Sequence, residues 1–97
     1  LCCNRIIVKT VQRQVLIDGE EIHLTKKEYS ILEYLIMNKN NVISTEKIIE
    51  HVWDSEVNLF SNSFKFHMHS LKKKMAIYLN GEEVIKNVRG HGYIISK

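Results

Sequence analysis

Cationic and ionisable side chains are concentrated in one short stretch of the sequence that contains no carboxylate. From Ser63 to Met75 the chain reads SFKFHMHSLKKKM, in which lysine and histidine alternate with large apolar groups, and no Asp or Glu occurs between Glu56 and Glu82. Residues 1–56 carry seven Lys and Arg against nine Asp and Glu, whereas residues 57–97 carry seven against two. This uneven distribution of charge is typical of a domain with one side that faces an anion, although a run of charged residues alone is more often a solvated face.

Metal binding and catalysis are poorly supported by the spacing of the reactive residues. His67 and His69 lie two positions apart, about 200° around a helix, and so cannot bind one ion. Cys2 and Cys3 are adjacent, which strains a mutual disulfide and lacks the usual spacing of zinc ligands. They indicate two small residues in or before an edge strand of a protein in the reducing cytoplasm. No nucleophile with a base, acidic pair or phosphate-binding glycine motif occurs at a usable spacing, so we expect neither an enzyme nor a cofactor.

The elements that position the basic stretch are predicted to form one small α+β domain. A chain of 97 residues, 44% hydrophobic and 26% charged, is typical of one globular domain over residues 1–97. No apolar run is long enough to span a bilayer, and the start has no signal peptide. Because the first residue is not Met, we expect a fragment of a longer protein.

Local signals divide the chain into a sheet, three helices and a hairpin. The sheet is predicted over about 5–24, with a tight turn at Asp18-Gly19. A capping box from Thr25 to Glu28 opens a first helix over about 25–38, and Ser44 caps a second over about 45–53. The third helix is predicted over about 62–79, ending at Asn80-Gly81, and the hairpin over about 84–96.

The third helix is predicted to have an apolar back and a basic front. At about 100° per residue, one arc holds the side chains that a helix buries. These are Phe64, Met68, Leu71, Met75 and Tyr78. The opposite face holds Asn62, Phe66, His69 and Lys73, with Ser70 nearby, Lys65 and Lys72 on one flank, and Ser63, His67 and Lys74 on the other.

A helix of this kind, following another helix after a loop, has the layout of a helix-turn-helix recognition helix in the major groove of DNA. Lysines and amides bind phosphates, and the ring of Phe66 suits thymine methyl groups. Arg89, in the predicted turn of the hairpin, suits a minor groove. The alternative is that Phe66 packs under a loop and the lysines are merely solvated.

Four motifs resemble the winged-helix DNA-binding domain of OmpR/PhoB response regulators over about residues 13–96. They are Leu24 to Tyr29 (LTKKEY), Ser44-Thr45-Glu46 leading to Val52-Trp53, His67 to Met75, and Asn87 to Tyr93 (NVRGHGY). The resemblance implies a winged helix-turn-helix with a four-stranded antiparallel sheet, three helices and a C-terminal β-hairpin wing. It also implies that the third helix enters the major groove and that Arg89 of the wing enters the minor groove.

The resemblance further implies partners. Residues 54–60 correspond to the loop that touches RNA polymerase, and members of the family bind direct repeats as head-to-tail homodimers. A sensor histidine kinase usually switches them through a receiver domain, which is absent from this chain.

Carried over position by position, the family's DNA contacts fall on the third helix. The phosphate contacts correspond to Asn62, Ser63, His67, His69 and Lys72, and the base-reading positions to Lys65, Phe66 and Ser70; Lys73 shares their face. The sequence departs from the family, which usually has Arg at positions 62 and 70, an acidic residue at 65 and a small branched apolar residue at 66. The DNA sequence that this domain recognises therefore cannot be inferred from other members of the family.

Two hypotheses about binding follow from these residues. Phe66 favours thymine methyl groups, which predicts an A·T-rich site, and Lys65 prefers guanine or phosphate. The two histidines on the DNA side predict tighter binding below about pH 6.5, where histidine gains a proton.

A different class of function stays open at this point. The changes at Asn62 and Ser70 are also compatible with a winged-helix protein-interaction module that has lost sequence-specific DNA binding. Ionic strength distinguishes DNA binding from protein binding. A domain that neutralises phosphates loses affinity steeply with salt, whereas one that buries an apolar surface against a protein does not.

Overall fold

The fold is α+β, as the sequence predicts. The computed structural model describes residues 2–3, 5–52, 63–81 and 83–96, with the backbone alone at residues 2, 3 and 63. In chain order the described residues form four strands, three helices and a final pair of strands. Trp53, the loop 54–60 and Asn62, about which the sequence makes predictions, lie outside the described residues. None of the described helices is long and apolar enough to cross a membrane.

The N-terminal part is a four-stranded antiparallel sheet in the order β1-β2-β3-β4. The strands are β1 Cys2–Cys3, β2 Ile6–Lys9, β3 Gln14–Ile17 and β4 Glu20–Ile22. The predicted turn at Asp18-Gly19 is confirmed, because Ile17 pairs with Glu20 and both turn residues have positive φ, 53° and 84°. Alternate residues of β2 and β3 are buried, so one face of the sheet contributes to the hydrophobic core together with the helices.

The first two helices begin at the predicted caps. Helix α1, Lys26–Met37, starts with a capping box in which the Thr25 amide donates to Glu28 Oε1 at 2.9 Å and the Glu28 amide donates to Thr25 Oγ1 at 3.2 Å. Helix α2, Thr45–Val52, starts where Ser44 Oγ accepts from the Lys47 amide at 3.2 Å. A ring stack between Tyr34 and His51, with centroids 4.0 Å apart, joins the two helices.

Helix α3, Ser63–Tyr78, is the longest element of the fold. It ends at Asn80-Gly81 as predicted, since both residues have positive φ and the Gly81 amide donates to Ala76 O at 2.9 Å. Its apolar stripe is buried against the rest of the domain, except that Tyr78 is only partly buried. Leu79, which follows at the turn, is also buried.

The wing is an antiparallel hairpin of β5, Ile85–Val88, and β6, Gly92–Ile95. A feature that the sequence does not predict attaches it to the start of α2. Ile43 and Tyr93 exchange two backbone hydrogen bonds of 2.8 and 2.9 Å. Gly92 has a φ of 139°, and a Cβ there would lie 2.1 Å from Ile43 O, so the close approach depends on glycine.

Candidate nucleic-acid interface

The outward face of α3 carries both cationic and apolar side chains. Four members of the stripe on its other side, Phe64, Met68, Leu71 and Met75, are 0 to 4% exposed, which anchors the helix. The exposed side chains are Lys65, Phe66, His69, Lys73 and Ile77. We call this set the outer face.

Phe66 is the most unusual member of the outer face, because a large aromatic ring is seldom left in water. Its side chain is 69% exposed, which favours the outward position over packing beneath a loop. Its ring meets that of His67 edge to face, with centroids 5.5 Å apart. The two rings therefore form an aromatic pair near the start of the helix, in which Phe66 is exposed and His67 is partly buried.

Lys72 lies on the flank of α3 that faces the wing, and a carboxylate lies next to it. Its ammonium is 3.4 Å from Glu83 Oε1, just before β5. His69, Lys72 and Lys73 are among the residues that line an open groove of about 620 Å³ between α3 and β5. The predicted phosphate contacts at His69 and Lys72 therefore share one edge of the domain.

Ser70 and Lys74 lie on the other flank, toward α1. Lys74 Nζ is 2.7 Å from Glu28 Oε1, and the hydroxyl of Ser70 also hydrogen-bonds to Glu28. The Glu28 side chain is almost fully buried. Burial raises the pKa of this carboxyl, but hydrogen bonds from Lys74, Ser70 and the Thr25 amide together outweigh burial, so its pKa is lower than the ordinary value. Ser70, a predicted base-reading position, thus has its hydroxyl engaged inside the domain.

The wing presents Arg89 in an exposed turn, Arg89 to His91. The hairpin is held against α3 by an edge contact between the rings of Phe64 and Tyr93, with centroids 5.6 Å apart. Burial raises the pKa of the Tyr93 phenol, as expected for a ring enclosed by these contacts. The guanidinium of Arg89 is therefore carried by a hairpin that is fixed to both α2 and α3.

The predicted site residues thus divide into three groups. The outer face holds Lys65, Phe66, His69 and Lys73, and the flanks hold His67, Ser70 and Lys72. Arg89 lies in the wing. The side chains of Asn62 and Ser63 lie outside the described residues.

Two structural features of α3 were missed by sequence reasoning. Ile77 is 72% exposed, and its helical position, eleven residues after Phe66, could have placed it on the same face. The Glu28 and Lys74 pair joins residues 46 apart, which no local pattern indicates. Across the described ranges, no group of three or more His, Cys, Asp or Glu residues could hold a metal ion.

Comparison with known proteins identifies similar sequences and folds. The family described as transcriptional regulatory protein, C terminal, matches residues 19–95. Response regulator ArlR of Staphylococcus epidermidis is 35% identical over 92 residues, and ArlR of Staphylococcus aureus is 36% identical. The alignment covers 95% of this chain and 42% of each relative, so the chain spans less than half of their length.

Solved structures share the whole fold. The C-terminal domain of the nisin resistance regulator NsrR is 27% identical, with a TM-score of 0.82 over 100% of this chain and 97% of that one. The DNA-binding domain of response regulator AdeR, solved in complex with an intercistronic region, is 24% identical, with a TM-score of 0.86 over 100% and 99%. The winged-helix arrangement of sheet, three helices and hairpin is therefore common to these domains.

Proposed function

The chain belongs to the family of C-terminal domains of transcriptional regulatory proteins, of the OmpR/PhoB type, and we propose that it binds double-stranded DNA in a sequence-specific manner. Helix α3 enters the major groove, and Arg89 of the wing enters the adjacent minor groove. The domain acts by binding alone, without a catalytic step or a cofactor.

The observation that carries this proposal is the composition of the outer face. Lys65, His69 and Lys73 offer positive or ionisable groups, and Phe66 offers an apolar ring, on one exposed side of a helix whose other side is buried. Phosphates attract the cations, while the ring can contact the thymine methyl groups that are exposed in the major groove. A purely solvated face does not require an exposed phenylalanine, whereas contact with thymine methyl groups uses one.

The contacts are proposed to divide by chemistry. Asn62, Ser63, His67, His69 and Lys72 position the helix on phosphates, with Lys73 beside them. Lys65, Phe66 and Ser70 face the bases, and of these Ser70 contributes least because its hydroxyl is bonded to Glu28. Phe66 against a thymine favours an A·T-rich site.

The longer relatives suggest how such a domain is used. In this proposal the full-length protein is a cytoplasmic two-component regulator that binds direct repeats as a head-to-tail homodimer. A receiver domain outside this chain accepts the signal from a sensor histidine kinase, and the loop 54–60 contacts RNA polymerase.

The test is fluorescence anisotropy of the domain against a pool of genomic duplexes, titrated at several salt concentrations, with the bound fragments sequenced. We expect enrichment of a tandemly repeated motif and a steep loss of affinity with salt. Binding without sequence enrichment, or an affinity that salt leaves unchanged, would contradict the proposal and favour a protein partner.

A further inference from the structure

We infer that Glu28 is a positioning residue for DNA recognition, because its buried carboxylate fixes how far α3 is rotated about its own axis. That rotation decides the exact direction in which the side chains of the outer face point. The inference rests on the proposed function and assigns a role to a residue of α1 that lies far from the outer face in the sequence.

The geometry joins two helices at one oxygen atom. Glu28 Oε1 accepts from the Thr25 amide at 2.9 Å and from Lys74 Nζ at 2.7 Å, and the carboxylate also bonds to the Ser70 hydroxyl. Glu28 is 1% exposed. The same side chain therefore completes the N-terminal cap of α1 and holds two residues of α3.

Ser70 and Lys74 are four positions apart, so they lie one above the other on the same side of α3. The ion pair of Lys74 with Glu28, on the side where Ser70 also lies, opposes rotation that would carry this side away from α1. The apolar residues of α3 are buried, and their burial sets the general orientation of the helix without a strong preference for one angle, whereas hydrogen bonds weaken steeply when misaligned. The polar contact is thus sensitive to small rotations.

Rotation has a direct consequence for the outer face. Successive residues of a helix are about 100° apart, so a turn by a small fraction of that angle moves the outward tips of Phe66 and Lys73 sideways while the apolar stripe stays buried. It would also draw Lys74 away from Glu28, and a buried ionised carboxylate without its cation is costly. The buried stripe therefore decides which side of α3 faces outward, and the ion pair opposes the smaller turns that would misplace Phe66, His69 and Lys73.

The test separates the contact of Glu28 with Lys74 of α3 from its role in the N-terminal cap of α1. In the Glu28→Gln variant the amide oxygen still accepts from the Thr25 amide, but the charge that holds Lys74 is gone. Glu33→Gln is the matched control, since it changes the same charge on the same helix, where Glu33 accepts from Tyr29 of α1 at 2.8 Å. Lys74→Met removes the partner from α3.

The readout is the ratio of affinities for the selected duplex and for a random duplex, measured at one salt concentration where unfolding curves show each variant folded. We expect the ratio to fall about fivefold or more in Glu28→Gln and in Lys74→Met, because base contacts are misplaced while phosphate attraction persists. The double variant should lose no more than the larger single loss. Glu33→Gln should keep the wild-type ratio.

Each contrary outcome is distinct. If folded Glu28→Gln and Lys74→Met keep the wild-type ratio, the inference is wrong and the proposed function stands. If neither variant folds, Glu28 serves folding rather than positioning, which also overturns the inference. If the wild-type domain prefers no sequence, the proposed function itself fails, and this is seen before any variant is compared.

Discussion

Lys72, Lys73 and Lys74 follow one another in the sequence, yet each side chain has a different environment. Lys72 lies 3.4 Å from Glu83 near the wing, and Lys74 lies 2.7 Å from the buried Glu28. Lys73 is exposed between them on the outer face. At the scale of single residues, position around the helix therefore decides which cation is available to DNA.

The first prediction compares two neighbouring lysines. Lys73→Gln should reduce the slope of log affinity against log salt by about 1, because one phosphate contact is lost. Lys74→Gln should leave the slope unchanged and instead reduce the free energy of unfolding by about 1 to 3 kcal/mol, because Glu28 loses its cation. Anisotropy titrations at several salt concentrations and urea unfolding measure the two quantities. Equal slope changes in both variants would contradict this assignment.

The second prediction concerns Phe66. Phe66→Ala should weaken the preference for thymine at one position of the selected site, by about 1 kcal/mol or more, with little effect on binding to random duplex. Ile77→Ala is the control, because Ile77 is equally exposed but lies eleven residues further along α3, about 16 Å at 1.5 Å per residue. A binding selection followed by sequencing reads the preference. An unchanged base preference in Phe66→Ala would exclude the contact with thymine.

At the scale of elements, the wing depends on its backbone contact with the segment before α2. Ile43 and Tyr93 exchange two hydrogen bonds, and Gly92 lies against the carbonyl of Ile43. This contact carries Arg89 in a fixed relation to α2 and, through the rings of Phe64 and Tyr93, to α3. A change at Gly92 should therefore affect the whole wing.

The third prediction compares two glycines of the wing that both have positive φ. Gly92→Ala should reduce the free energy of unfolding by about 2 to 4 kcal/mol, since the new Cβ would lie 2.1 Å from Ile43 O. Gly90→Ala should cost only about 1 kcal/mol, because nothing lies within 4 Å and only backbone strain remains. Urea unfolding measures both. Similar losses in the two variants would contradict the prediction, because the backbone at Ile43 would then move aside for the new Cβ at little cost.

Sequence reasoning succeeded at this scale where the signal was local. The turn at Asp18-Gly19, the capping box at Thr25 and the stop at Asn80-Gly81 each depend on residues within a few positions, so their types are sufficient to predict them. The periodicity of α3 likewise predicted an exposed Phe66. The attachment of Gly92 to Ile43 and the bond from Lys74 to Glu28 join distant parts of the chain, and no local propensity encodes them. For the same reason Ser70 could not be placed toward α1 from the sequence.

At the scale of the whole molecule, the buried carboxylate links acid stability to the arrangement of the helices. The pKa of Glu28 is lower in the folded protein than its ordinary value of 4.5. A lowered pKa means that the ionised form favours folding, so this contribution is fully present above the unfolded pKa and is lost as the pH falls through the lower folded pKa. The stability that the contact between α1 and α3 contributes should therefore begin to fall below about pH 4.5, and the contact itself should be lost at the lower pKa of the folded state.

The fourth prediction is the pH dependence of unfolding in three proteins. Between about pH 7 and 5.5, Glu28→Gln should be less stable than wild type by a constant amount of about 1 to 3 kcal/mol, because Glu28 stays ionised in both states. The difference should shrink as the pH falls below about 4.5, since Glu28 of the unfolded wild-type chain then takes up a proton that the folded chain binds only at lower pH. Glu33→Gln, which changes the same charge on α1, should follow the wild-type curve. Urea midpoints at a series of pH values give the result, and a difference between wild type and Glu28→Gln that persists undiminished at acid pH would show that the glutamate acts through its shape rather than its charge.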